Sequence, residues 1–201
     1  MPYIRPARTD DAPALLRICL LTADCGKSAE QLHEFPELPG SVWATPYLTL
    51  PTTWAFVLED NGEVVGYIVG SKDTPTYEQY ARDHLWPALA KKYPVRATRL
   101  PDDQRYAKLV ENFRVLPQTT LEFAPAHLHI DILPQYQGQG WGRRLIEHAV
   151  KHLQSVGVDG IWLIMDPQNV GAGKFYKKLG FASIPGSPPN HLGLRFEEMA
   201  C

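Results

Sequence analysis

The sequence predicts a mixed α/β domain that starts antiparallel and ends in a strand–helix–strand–helix unit. Three observations carry this expectation. Two apolar runs in "TWAFVLEDNGEVVGYIVGS" flank Asn61-Gly62, the strongest short-range hairpin signal. "AHLHIDIL" alternates as a strand and runs through "QGQGWG" into "GRRLIEHAVKHLQSVG", whose apolar residues recur with helical spacing. "GIWLIM" and "GAGKFYKKLG" then repeat the strand-to-helix order.

The elements follow in sequence. Residues 3–6 read as a short strand, and Thr9 or Asp10 can cap the helix in "APALLRICLLT". Residues 24–52 are rich in acid, proline and glycine and read as a short helix with loops. After the hairpin, "YEQYARDHLWPALAKKY" and "DDQRYAKLVENF" read as two helices, and Pro87 should kink the first or end it early. Gly157 and Gly180 should stop the two later helices. Pro185, Pro188 and Pro189 mark a loop before the last strand, "HLGLRFEE".

At 201 residues with 44% apolar content, the chain can bury one core, so residues 1–201 are expected to form a single domain. A net charge of −2 argues against a nucleic-acid partner. No apolar run reaches the length of a membrane span, and "MPYIRPARTDD" lacks the apolar stretch of a signal peptide, so no membrane partner is expected. Three cysteines, Cys19, Cys25 and Cys201, show neither metal-site spacing nor an even count, which suggests a reduced, cytoplasmic setting.

Glycines at every second position of Gln137-Gly138-Gln139-Gly140-Trp141-Gly142 leave backbone amides open at the start of a helix. Such a loop serves an anion, because the amides and the helix N-terminus both face it. A nucleotide P-loop would continue as Lys-Ser/Thr, whereas Gly142 is followed by Arg143. A dinucleotide fingerprint would need its third glycine where Arg143 stands, and an acid after the second strand; Asp159 lies before it.

Gln137-x-x-Gly140-x-Gly142 resembles the Gln/Arg-x-x-Gly-x-Gly/Ala loop of the GNAT acetyltransferases. The run Asn169-Val-Gly-Ala172-Gly-Lys-Phe175-Tyr176-Lys-Lys-Leu179-Gly180-Phe181 is similar to that family's second signature, in the expected order and joined by the expected helix and strand. Nearly the whole chain resembles the acetyltransferase-like domain at the C-terminus of O-GlcNAc hydrolases. Two departures matter: no attached (β/α)8 hydrolase barrel is expected, since one takes about 250 residues, and every loop glycine is kept, whereas the animal domains have lost theirs.

The resemblance implies a GNAT fold, with a mostly antiparallel mixed sheet flanked by helices on both faces and a two-helix insertion at 73–125. It implies an acetyl-CoA-dependent N-acyltransferase acting on a small-molecule or peptide amine by direct attack, with a non-catalytic acyl-CoA-binding module as the alternative. Amides of Gly138, Gly140, Gly142 and Arg143 would hold the pyrophosphate. Ile132 and Leu133 would offer backbone contacts to a pantetheine arm inserted beside their strand, and one amide there would stabilise the oxyanion. Asn169 would bind that arm or simply cap its helix. Tyr176 would protonate the departing thiolate or pack beneath the cofactor.

For the base that deprotonates the amine, His127, His129 and Asp131 share one strand face if the strand is regular. Asp131 is favoured by the resemblance and His129 by its intrinsic pKa; a water relay or no base at all stays open. No metal is expected, because His127-x-His129 lacks further ligands at sensible spacing. His148 and His152 fall toward the polar face of their helix and should be solvated. Asp24, Glu30, Glu34 and Glu37 make the acceptor-side loop mildly acidic, and Tyr77, Tyr80, His84 and Trp86 could wall a pocket. A homodimer is expected only on general grounds.

Overall fold

The computed structural model describes residues 1–112 and 115–200. Cys201 lies outside them, as does Phe113 near the end of the second expected insertion helix. The strands are β1 (Tyr3–Pro6), β2 (Thr53–Asp60), β3 (Glu63–Ser71), β4 (Ala126–Ile132), β5 (Gly160–Ile164), β6 (Ala182–Ser183) and β7 (His191–Arg195). They form one sheet in the order β1-β2-β3-β4-β5-β7-β6, with β4–β5 the one parallel pairing in it. Asn61 and Gly62 both take positive φ at the β2–β3 turn, as the primed hairpin turns require.

Helices α1 (Ala12–Leu20) and α2 (Leu38–Trp43) cover one sheet face, and α7 (Trp141–Ser155) covers the other. α7 buries Leu145, Ile146, Ala149, Val150 and Leu153, the stripe its periodicity foretells. α8 (Val170–Leu179) ends at Gly180, whose φ of +99° suits a glycine stop. His148 and His152 depart from expectation. Both are half-buried, with ring centroids 4.5 and 5.4 Å from Phe56 of β2, so they cover the sheet instead of standing in solvent.

The cap of α1 differs too. Neither Thr9 nor Asp10 serves; Asp11 accepts the amide of Arg8 at 2.7 Å and both terminal nitrogens of Arg5 at 2.8 Å.

The segment 73–125 holds more than two helices. α3 (Thr74–Tyr80) runs through a π-helical turn at Ala81–Leu85 into α4 (Trp86–Lys92). Pro87 lacks an amide and crowds the preceding turn, and the wider turn before it lets the helix pass without ending. α5 (Pro101–Glu111) and a short α6 (Gln118–Phe123) complete the segment, and α6 was not foreseen. Leu89, Tyr93, Tyr106 and Val110 pack on Leu38 and Val42 of α2, which fixes the insertion to the body. Asp103 of α5 is fully buried. Its carboxylate meets Nδ1 of His33 at 2.7 Å and accepts the amide of Glu34 at 2.6 Å.

Candidate active site

β4 and β5 part company within the sheet. Their parallel register covers only Ala126↔Ile161 and His127↔Trp162, while β4 stays paired with β3 as far as Gly66↔Ile132. Beyond His127 the β5 side of β4 is therefore an open edge. The direction of its polar groups follows from register. Leu133 donates its amide to Val65 O at 3.0 Å, so alternation turns the amides and carbonyls of Leu128, Ile130 and Ile132 toward the gap. This corrects one expectation: the amide of Leu133 belongs to the β3 ladder, and its carbonyl accepts Tyr136 N at 2.9 Å. Ile132 is the residue of the pair that faces the gap. Its carbonyl already accepts Nε2 of Gln137 at 2.7 Å.

The glycine loop leads from that edge into α7. Gly138 and Gly140 have φ of +71° and +84°, which L side chains rarely adopt, and Gly140 is the N-cap residue. Gly142 is needed for another reason. A Cβ there would lie 2.9 Å from the ring of Phe175, so its absence lets α8 close against the start of α7. Gln139 donates to Gln135 O at 2.7 Å, and the Arg144 guanidinium sits 4.6 Å above the Trp141 ring. Arg143 contacts Ala200 O at 2.8 Å and Glu147 at 3.5 Å, so its side chain is turned toward the C-terminus and α7.

On the opposite wall, Asn169 caps α8 by accepting the amide of Ala172 at 3.0 Å, the local role that its position allows. Asn169, Ala172 and Tyr176 line one cavity with Leu128, Ile130 and Asp131. Tyr176 is buried, its ring held by Phe175 and Phe181. Its hydroxyl has no hydrogen-bond partner among the described residues and is not sealed from the cavity. Burial, aided by the charge of Asp131, pushes this phenol well above its usual range, so it remains a proton donor at neutral pH.

β4 carries no bulge in its register with β3, so His127, His129 and Asp131 do share one face. Their surroundings separate them. His127 bonds Thr74 Oγ1 at 2.7 Å and Tyr47 OH at 2.8 Å, while Thr74 donates to Pro125 O at 2.7 Å. The one Thr74 proton is thus committed, which makes Nδ1 of His127 the donor and Nε2 the acceptor. Burial holds this imidazole neutral, well below its ordinary pKa. It is a satisfied core group. His129 is half-buried, with Trp43 and Tyr47 rings at 5.1 and 5.6 Å.

Asp131 is half-buried on the cavity wall. Tyr67, opposite it on β3, donates its hydroxyl to Oδ2. Burial pushes the Asp131 carboxyl up to about 6, with the Tyr67 and Thr22 hydroxyls pulling the other way. It is therefore ionised at neutral pH yet basic enough to take a proton. Sequence reading missed Tyr67. The alternation of β3 could have found it only once the β3–β4 register was known.

The cavity measures about 770 Å³ and reaches from the β4–β5 gap to the insertion, where Arg105, Tyr106 and Leu109 of α5 border it. Tyr77 and Trp86 line it as expected; Tyr80 and His84 instead pair with each other on the surface, centroids 4.5 Å apart. The loop reaches it through Cys25, but Asp24, Glu30, Glu34 and Glu37 are not among the residues that line it. Glu34 takes the amide of Arg99 at 2.9 Å and Glu37 accepts Tyr93 OH at 2.7 Å, so both are spent on the insertion. Among the described residues no group of three metal-ligating side chains assembles, and no helix is long and apolar enough to cross a membrane.

Known proteins share this architecture. The crystal structure of SsHAT superposes with a TM-score of 0.84 at 37% identity, covering 97% of this chain and 98% of that one. Protein O-GlcNAcase of Rattus norvegicus is 25% identical over 191 residues, 92% of this chain but only 21% of that protein. The chain thus spans about a fifth of the length of these O-GlcNAcases. Ribosomal protein bS18-alanine N-acetyltransferase of Escherichia coli is 39% identical over 67 residues, 33% of this chain and 41% of the enzyme. Residues 27–181 match the sequence profile of the acetyltransferase (GNAT) family, and the chain belongs to that family.

Proposed function

We propose that the protein is an acetyl-CoA-dependent N-acetyltransferase that acylates an amine by direct attack. The observation that carries this reading is the open β4 edge, with an unblocked glycine loop at one end and Asp131 and Tyr176 on the walls of the same cavity. The gap, the positive-φ glycines and the exposed N-terminus of α7 fit an extended arm ending in a pyrophosphate. Gly138, Gly140 and the first amides of α7 would hold the phosphates, and Ile130 and Ile132 would pair with the arm. When bound, acetyl-CoA supplies an activated thioester.

The amides facing the gap are suited to the carbonyl oxygen as it gains negative charge; one such donor typically contributes about 3–4 kcal/mol. Asp131, ionised, would take the proton from the incoming ammonium. Tyr176, kept protonated by burial, would give its proton to the sulfur as the C–S bond breaks. His129, beside Trp43, is the second candidate for the base. We also assign the protein to the cytoplasm, on its free thiols Cys19 and Cys25. Free thiol released from acetyl-CoA in the presence of a mixed amine pool tests the reading. Release that depends on both the amine and Asp131 supports it, and amine-independent or absent release contradicts it.

A further inference from the structure

The acceptor end of the cleft has a composition that restricts what can enter. The sheet contributes Asp131 to its wall, half-buried on the same face of β4 as His129. Trp43 of α2 and Trp86 of α4 are half-buried and line the same space, together with the buried Tyr106 of α5. The indole of Trp43 stands 5.1 Å from the His129 ring, so aromatic surface reaches the strand that carries Asp131. The other charged residues of the lining are Arg105 and Lys108 of α5 and Asp166 after β5, all exposed, and Glu78 of α3, half-buried. The carboxylates that could have gripped a polycation, Glu34 and Glu37, are bonded to the insertion.

The roof over this end is fixed. Asp103 of α5 is buried, with both His33 and the Glu34 amide on its carboxylate, and an apolar cluster joins α2 to α4 and α5. Pockets for compact ligands span about 300–1,000 Å³. This one, at about 770 Å³, must take the thioester arm as well. What remains suits a small molecule with a flat apolar body, which aromatic walls favour through stacking and through their negative faces toward an ammonium.

We infer that the acceptor is a compact primary amine carrying an aromatic ring, a 2-arylethylamine or close analogue, with its ring against Trp43 and Trp86 and its nitrogen toward Asp131. This rests on the acetyl-transfer reading above and adds the substrate class to it. In the transfer the amine nitrogen bonds the acetyl carbon and the C–S bond breaks. One ammonium proton passes to Asp131 before attack. As the C–S bond breaks the sulfur takes a proton from Tyr176, and the nitrogen gives up its second proton, through solvent, to the resulting phenolate. The products are an amide and a free thiol, and Asp131 releases the one net proton to solvent.

The test is a comparison of 2-phenylethylamine and tryptamine with spermidine and a lysine-containing peptide, by thiol release and by calorimetric binding of each amine with and without CoA. The arylethylamines are expected to bind saturably and to exceed both competitors at least tenfold in kcat/KM. Trp43→Ala and Trp86→Ala should raise KM for them more than fivefold while leaving acetyl-CoA affinity unchanged. If either variant does not fold, the amine comparison decides alone. Spermidine or the peptide matching the arylethylamines, or no arylethylamine binding at all, overturns the inference. Failure of acetyl-CoA itself to bind is a separate result and overturns the acetyl-transfer reading instead.

Discussion

Tyr67, fully buried in β3, donates its hydroxyl to Asp131 directly across the ladder in β4. That bond favours the ionised carboxylate, while burial opposes it and wins, leaving the group near 6. A carboxyl raised in the folded state holds its proton more tightly there than when unfolded. Stability therefore falls as pH rises from the ordinary carboxylate range to about 6, then levels off. Asp131→Asn should be at least as stable as wild type at pH 7, yet lose on the order of 100-fold in kcat. Tyr67→Phe removes the donor, so the acid limb of kcat/KM should move up from about pH 6. A pH–rate profile on both variants checks this; an unmoved limb in Tyr67→Phe would detach Asp131 from proton transfer.

Tyr176→Phe keeps the ring between Phe175 and Phe181 and removes only the hydroxyl. The expected outcome is a kcat lowered about 100-fold, with acetyl-CoA affinity unchanged within about a factor of two. Unchanged turnover would leave Tyr176 as packing alone.

His127 should matter to stability and not to chemistry. His127→Ala strips the buried hydroxyls of Tyr47 and Thr74 of a partner and opens a cavity, a loss of about 2–4 kcal/mol measurable by urea denaturation. The sign with pH is opposite to that of Asp131. A histidine held neutral in the fold is protonated first in the unfolded chain, so its penalty appears as pH falls through about 6.5. The variant should show a weaker loss of stability on that acid side.

Asp103→Ala should loosen the insertion without touching the glycine loop. It leaves Nδ1 of the buried His33 and the Glu34 amide without their acceptor, at about 2–4 kcal/mol. Limited proteolysis should then cut within 73–125 sooner than in wild type, and acetyl-CoA binding should persist. Equal protection of the insertion would mean that the apolar cluster around Leu89 and Tyr93 holds it alone.

Much of this was legible in the residues. Asn61-Gly62 specifies its hairpin because both positions need positive φ. The stripe on α7 names its buried face before any tertiary contact is known. The loop glycines stood out as a candidate site because each costs conformational entropy that an ordinary helix start would not spend, and Gly138 and Gly140 do take positive φ. Long-range geometry was not legible. The parting of β4 from β5 depends on pairing between segments about 30 residues apart, and no local pattern encodes where it begins. His127, His129 and Asp131 look equivalent along the strand; only Thr74 and Tyr47, distant in sequence, make one of them a core group. The solvated reading of His148 and His152 failed because Phe56 and Trp54 extend the apolar surface beyond the stripe on α7.

The central claim is that the glycine loop and the open β4 edge hold acetyl-CoA. The most direct measurement is calorimetric titration of acetyl-CoA into the wild type and into Gly140→Glu. The substitution places a side chain at φ +84°, costing about 1–2 kcal/mol of backbone strain, and sets a negative charge where the pyrophosphate would lie. The account predicts one-to-one binding by the wild type and at least 100-fold weaker binding by a folded Gly140→Glu. No binding by the folded wild type, or equal binding by both, would contradict it.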